Sequence, residues 1–219
     1  MKRYINFIKK PIIIISIVFL IFISLIKIFL FNNIDFLFFV AQECKRPSAS
    51  YHYILKKIYE VAEKKEIGKI LIDRIKNDQN ISLHYHYIRV LGVTGNTNAI
   101  GILLIKYVDF LNQKEDNNPG YTLAIVNSIG LVGDKTAATI LKKSLEHYNY
   151  KWLNPAIAGA LFLITGNKYN FLDTSDKFHQ FKPRKRSLNA YEIISKTRGK
   201  KRSLKEMIEL DKIFHPPDH

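Results

Sequence analysis

The chain has 219 residues, with 34 Lys and Arg against 19 Asp and Glu and a formal net charge of +15. So basic a balance favours anionic partners: a phospholipid surface, an anionic polymer of a cell envelope, or nucleic acid. The single cysteine, Cys44, excludes an internal disulfide framework and any CxxC metal or redox site.

Residues 1–10 form a basic flank carrying Lys2, Arg3, Lys9 and Lys10. Residues 11–31, from Pro11 to Phe31, hold no charge except Lys27. As a helix they would measure about 31 Å, which matches the hydrocarbon core of a bilayer. The run is longer than a signal-peptide core, and cleavage after Ala41 would put Phe39 where a small residue is needed, so it reads as one uncleaved transmembrane helix. Gln42 and Glu43 ahead of Cys44 disfavour a lipoprotein attachment site. The charge flanking the span predicts a single-pass protein of the cell (inner) membrane, with the N-terminus cytoplasmic and the C-terminal domain extracytoplasmic. Residues 32–49 follow as a juxtamembrane linker. Within it, "FLFFVA" (Phe36 to Ala41) is too short to span, and lies at the interface or packs on the first helix of the domain.

From residue 50 the pattern becomes helical. Ile54, Ile58, Val61 and Ala62 fall on one helix face. Ile67, Ile70, Leu71 and Ile75 mark a second, shorter helix. After "KNDQN" come "ISLHYHYIRVLG", a turn at "VTGN", and a helix through Ile100, Leu103, Leu104, Val108 and Leu111. "YTLAIVNSIG" opens another pair, "LVGD" turns it, and Ala137, Ile140, Leu141, Ser144, Leu145 and Tyr148 form the next stripe. In "NPAIAGALFLITGN", Asn154 suits an N-cap and Pro155 a first turn.

The turns Gly95-Asn96, Gly133-Asp134 and Gly166-Asn167 recur at 33 to 38 residues, the period of a helix-pair repeat. Each glycine falls just past a helix end, where the chain must go left-handed to reverse. Asp134 can then cap the next helix through the N–H of Thr136 or Ala137. The inner glycines, Gly92 and Gly130, cost helix propensity, which close approach of the paired helix would offset. A phosphate-cradling loop is disfavoured: no strand precedes either motif, and no Lys-Ser/Thr follows.

"RVLGVTGNTNAIGILL" and "NSIGLVGDKTAATILKKSL" resemble HEAT-like repeats, in particular the short bacterial, phycobilisome-lyase type, whose consensus runs apolar-Gly-x-x-Gly-Asp before alanine and leucine. Arg89, Leu91-Gly92, Gly133 and Asp134 match it; Asn127 stands where Arg89 stands one unit earlier, and Leu163 replaces the inner glycine of the third. The resemblance covers residues 82 to 167 well and 50 to 80 weakly. With residues 50–167 as repeats, it implies an all-α fold: a short α-solenoid of HEAT-like helical hairpins, here preceded by one transmembrane helix.

Chemistry is sparse. An iron-dependent hydroxylase on this scaffold uses His-Glu dipeptides, and the chain has none. His84 and His86, two apart on a helix, point away from each other. His215 and His219 form a loose terminal pair. No catalytic triad, HExxH or paired carboxylates in an apolar context occur. The expectation is therefore no enzyme, no metal and no cofactor.

Residues 168–219 read as a basic helical C-terminal extension. "SLNAYEIISK" is a short helix, and "SLKEMIELDKIF" is a helix with a Ser203/Glu206 capping box and apolar contacts from Leu204, Met207, Ile208 and Leu210. Between Lys177 and Lys205 lie eleven basic residues and one acid, Glu192. The readings are a solvated basic tail, an anionic lipid or envelope-polymer surface formed by Arg184, Lys185, Arg186, Arg198, Lys200, Lys201 and Arg202, and, less favoured, a nucleic-acid contact. The expected function is a membrane-anchored, non-catalytic protein-interaction scaffold or assembly factor. Its unidentified protein partner would be met by Tyr85, Tyr87, Arg89 and Asn127.

Overall fold

Short polar side chains start the first helices. Asn33 Oδ1 accepts from the N–H groups of Asp35 and Phe36 at 3.0 and 3.2 Å and opens α1 (Ile34–Glu43). Ser48 Oγ accepts from Tyr51 N–H at 3.1 Å and opens α2 (Ala49–Lys64). The computed structural model describes residues 33–44, 48–77, 81–112, 118–147 and 150–214. The remaining helices are α3 (Ile67–Asn77), α4 (Ile81–Thr94), α5 (Ile100–Leu111, entered through a 3₁₀ turn Thr97–Ala99), α6 (Pro119–Val132), α7 (Ala137–His147), α8 (Asn154–Thr165), α9 (Lys185–Thr197) and α10 (Leu204–Phe214). A two-stranded antiparallel hairpin, β1 (Asn170–Leu172) with β2 (Phe178–Gln180), pairs Asn170 with Gln180 and Leu172 with Phe178. The fold is mostly helical.

Helices α4, α6 and α8 stack side by side as a central layer. Helix α3 packs on α4, α5 on α6, and α7 on α8. Helix α1 packs on α2 and α4 and buries Leu37, Phe38 and Ala41 completely. Helix α9 lies on α8, and α10 lies on α9, α2 and α4.

The turn glycines adopt the left-handed conformation that the sequence demands of them. Gly95, Gly133 and Gly166 have φ of 69°, 73° and 78°. Asp134 Oδ1 accepts from Thr136 N–H at 2.8 Å. The inner glycines serve a different neighbour from the one expected. A Cβ on Gly92 would lie 2.7 Å from Ser128 Cα, and one on Gly130 would lie 2.8 Å from Ala160 Cα. The close approach is therefore α4 to α6 and α6 to α8, between successive first helices, not within a hairpin.

Other local expectations shift in register. Ile54, Ile58, Val61 and Ala62 are buried, as are Ile67, Leu71 and Ile75, but Ile70 is 43% exposed. On α5 the buried face is Ile102, Leu103, Tyr107 and Phe110, so Val108 turns outward. Asn154 is not a cap: it is the first residue of α8, and its Nδ2 donates to Leu172 O at 2.8 Å, tying α8 to the hairpin.

The membrane placement needs correction. Among the described residues no helix is long and apolar enough to cross a membrane. The longest, α2, has 16 residues, about 24 Å, and one face of it carries Lys56, Lys57, Glu60 and Glu63. This overturns the single-pass inner-membrane localisation with an extracytoplasmic domain. The basic flank 1–10, the stretch 11–31 and the terminal His215/His219 pair lie outside the described residues.

Candidate functional site

The seven basic residues expected to form one anionic-binding surface divide into two kinds. Arg202 is only 1% exposed. Its Nη1 donates to Gly92 O and Val93 O, both at 2.9 Å, and its Nη2 to Leu131 O at 2.6 Å, while Nε donates to Thr197 Oγ1 at 3.0 Å. Those carbonyls end α4 and α6, where intrahelical partners run out and the helix dipoles place partial negative charge. One guanidinium thus satisfies the C-termini of two neighbouring helices. Burial draws its pKa down to about 10, with Glu206 opposing, and leaves it charged at neutral pH. Half-buried Arg198 repeats the device on the third helix: its Nη2 donates to Ile164 O at 2.6 Å, at the end of α8. Arg198 and Arg202 are therefore not surface contacts but fastenings of the extension.

The turn glycines acquire a second reason in this light. A Cβ on Gly133 would lie 2.5 Å from Ile194 Cγ2, and one on Gly166 would lie 2.6 Å from the Tyr191 hydroxyl. Helix α9 and the turn after it run across the row of left-handed turns at contact distance.

Of the four residues expected to meet a partner, Arg89 and Tyr87 are buried. Arg89 is 3% exposed, and its Nε donates to Asp211 Oδ1 at 2.8 Å, with Nη2 2.7 Å from the same oxygen. The carboxylate comes from α10, so this arginine grips the chain's own C-terminal helix. Tyr59 also donates to Asp211 Oδ1, at 2.8 Å. Arg89 Nη1 donates to the Tyr51 hydroxyl at 3.0 Å, and the same hydroxyl is hydrogen-bonded to His86 Nδ1 at 3.1 Å. Burial opposes the Arg89 charge, but Tyr59, Asp211 and Tyr51 outweigh it and hold the pKa above the usual guanidinium value. Burial, then Asp211, pushes the Tyr59 phenol well up. Tyr87 is buried edge-on against Phe38 of α1, with ring centroids 4.7 Å apart. Tyr85 is half-buried beside His86.

Tyr51, His52, Tyr59, His86, Arg89 and Asp211 form a set rich in acid–base groups, yet all but His52 are buried. None of them lines the concavities described below. What the set can do is hold α10 on α2 and α4. The Ser203/Glu206 capping box is present, and Glu63 Oε1 of α2 accepts from Leu204 N–H at 2.7 Å, fixing the start of α10. Among the described residues no three His, Cys, Asp or Glu side chains gather at a spacing that would hold a metal.

The remaining expected contacts lie on open surface. Arg184, Lys185 and Arg186 are exposed where α9 begins. Arg186 borders a cleft of ≈ 250 Å³ that half-buried Asn127 also lines, with Ala160, Leu163, Phe181 and Phe214. Lys200 and Lys201 are exposed on a groove of ≈ 500 Å³ between the α2–α3 junction and the Gly95 turn. Helix α5 turns Ile105 and Val108 outward, 56% and 38% exposed. Comparison with protein-family models, with curated proteins and with solved structures finds no match to this chain.

Proposed function

We propose that the chain is a non-catalytic protein-interaction scaffold, a short HEAT-like α-solenoid whose C-terminal extension closes one side and whose α5 face receives a protein partner. The solenoid reading is supported by three left-handed glycine turns at similar spacing and by the side-by-side stacking of α4, α6 and α8. The observation that carries the docking reading is the outward face of α5. Ile105 and Val108 stand exposed on it, flanked by half-buried Leu104 and Leu111, and Gly101 on the same helix has nothing within 4 Å of a built Cβ. Asp109 is also exposed on this face, one turn from Ile105, so the apolar area is a small patch whose burial is worth about 1–2 kcal/mol per large side chain to a partner. With a net charge of +15 on the chain, the complementary surface is an apolar patch with an acidic rim.

The test is recovery of a binding protein by tagged full-length chain, compared with Ile105→Glu and Val108→Glu. Both variants should lose the partner while keeping the wild-type unfolding midpoint. Undiminished recovery of the same partner would remove the reading.

A further inference from the structure

One groove is lined mainly by three chain segments distant in sequence: residues 65–69 at the start of α3, residues 94–98 around the Gly95 turn, and residues 199–201 after α9. We propose that this groove is a binding site for a compact polyphosphate group.

Lys65, Lys69, Lys200 and Lys201 all line the groove, all are exposed, and none forms an ion pair with a carboxylate among the described residues. Asn96 Oδ1 accepts from Asn98 N–H at 3.0 Å, which orients the amide so that its Nδ2 lies over Gly68, where a Cβ would come within 1.6 Å of it. Any side chain at Gly68 would displace the amide from the groove wall. The first turn of the 11-residue helix α3 also lines the groove, with its dipole adding positive potential. Against these stands one acid, Glu66. Gly199, with φ of 70° and open space around it, bends the chain so that Lys200 and Lys201 return to the rim after Thr197.

Four ammonium groups, an amide donor and a helix start on one concavity call for a ligand with several anionic oxygens close together. The lining contains no aromatic ring, so nothing there stacks a nucleobase. A volume of ≈ 500 Å³ exceeds the need of one orthophosphate and suits a small-ligand site. A chain of phosphoryl groups, free or carried on a lipid headgroup, fits; a nucleic-acid strand lacks its stacking platform.

The experiment is calorimetric titration of the full-length chain with inorganic tripolyphosphate and with orthophosphate. Tripolyphosphate is expected to bind at one site, at least about tenfold tighter than orthophosphate, with an affinity that falls as salt rises. Lys200→Glu with Lys201→Glu should weaken it by about 100-fold, and the milder Lys65→Gln with Lys69→Gln by about tenfold. Arg184→Glu with Lys185→Glu, which changes net charge by the same amount outside the groove, should change it less than about threefold. Absence of tripolyphosphate binding would overturn the proposal, and so would equal weakening by the outside pair, since net charge alone would then account for it. Phosphatidylcholine vesicles carrying a bisphosphorylated inositol lipid separate the sources. Sedimentation with them, reversed by tripolyphosphate, assigns the group to a headgroup; tripolyphosphate binding without sedimentation assigns it to a soluble ligand.

Discussion

Arg202 lies over Gly95 so closely that a Cβ on the glycine would sit 2.7 Å from the guanidinium carbon. Gly95 also has φ of 69°. The position is closed to side chains twice over, by backbone conformation and by the neighbour above it. Gly95→Ala should cost about 2–4 kcal/mol in urea unfolding followed by far-UV circular dichroism. Gly101→Ala is the opposite case, an exposed glycine in the first turn of α5 with nothing within 4 Å of a Cβ. It should stabilise by about 0.5–1 kcal/mol through helix propensity and the unfolded chain. Equal effects of the two substitutions would contradict this account of the turn.

The Arg89–Asp211 pair joins α4 to α10 in the interior, with side-chain exposures of 3% and 5%. Removing one partner leaves a buried charge, so Asp211→Leu and Arg89→Met should each cost about 3–5 kcal/mol. The double variant removes both charges and should cost about 2 kcal/mol less than the sum of the singles. Additive costs in the double-mutant cycle would mean that the pair is not coupled.

His52 provides a pH signature. Burial lowers its pKa from the ordinary 6.5, as do Arg89 and Lys212, while Asp211, 4.0 Å away, pulls the other way. The unfolded chain therefore takes up this proton first. The stability it contributes is complete above pH 6.5 and is lost as the pH falls below that value. His52→Asn should flatten the decline in unfolding free energy between about pH 7 and about pH 5. A slope unchanged by the substitution would show that other groups set the acid limb.

The turns were legible in the sequence because glycine at a helix end has a local meaning: Gly95, Gly133 and Gly166 are left-handed as read, and Asp134 bonds to Thr136 N–H. The Ser203/Glu206 box was legible for the same reason. What was not legible depends on distant partners. Arg89 in an otherwise apolar helix reads as a surface contact until Asp211, 122 residues away, is placed against it. A signal did exist, since Asp211 falls four residues after Met207 and seven after Leu204, on the stripe that packs inward. Arg202 gave none: it follows two lysines in a basic turn, and only the fold separates it from them. Helix α5 misled through its uniformity. With apolar residues around most of its circumference, periodicity could not tell Tyr107 and Phe110, which are buried, from Ile105 and Val108, which are not.

The central claim is that the basic extension is part of the folded body, fastened to the ends of α4, α6 and α8, and not a free tail. Arg202 and Lys201 are adjacent in sequence and alike in charge, yet one is buried on four oxygen acceptors and the other exposed. The most direct measurement is the unfolding free energy of Arg202→Ala beside Lys201→Ala. The account predicts a loss of about 3 kcal/mol or more for Arg202→Ala, which strands buried carbonyls, and less than about 0.5 kcal/mol for Lys201→Ala. Two variants as stable as the wild type would show a solvated tail and contradict it.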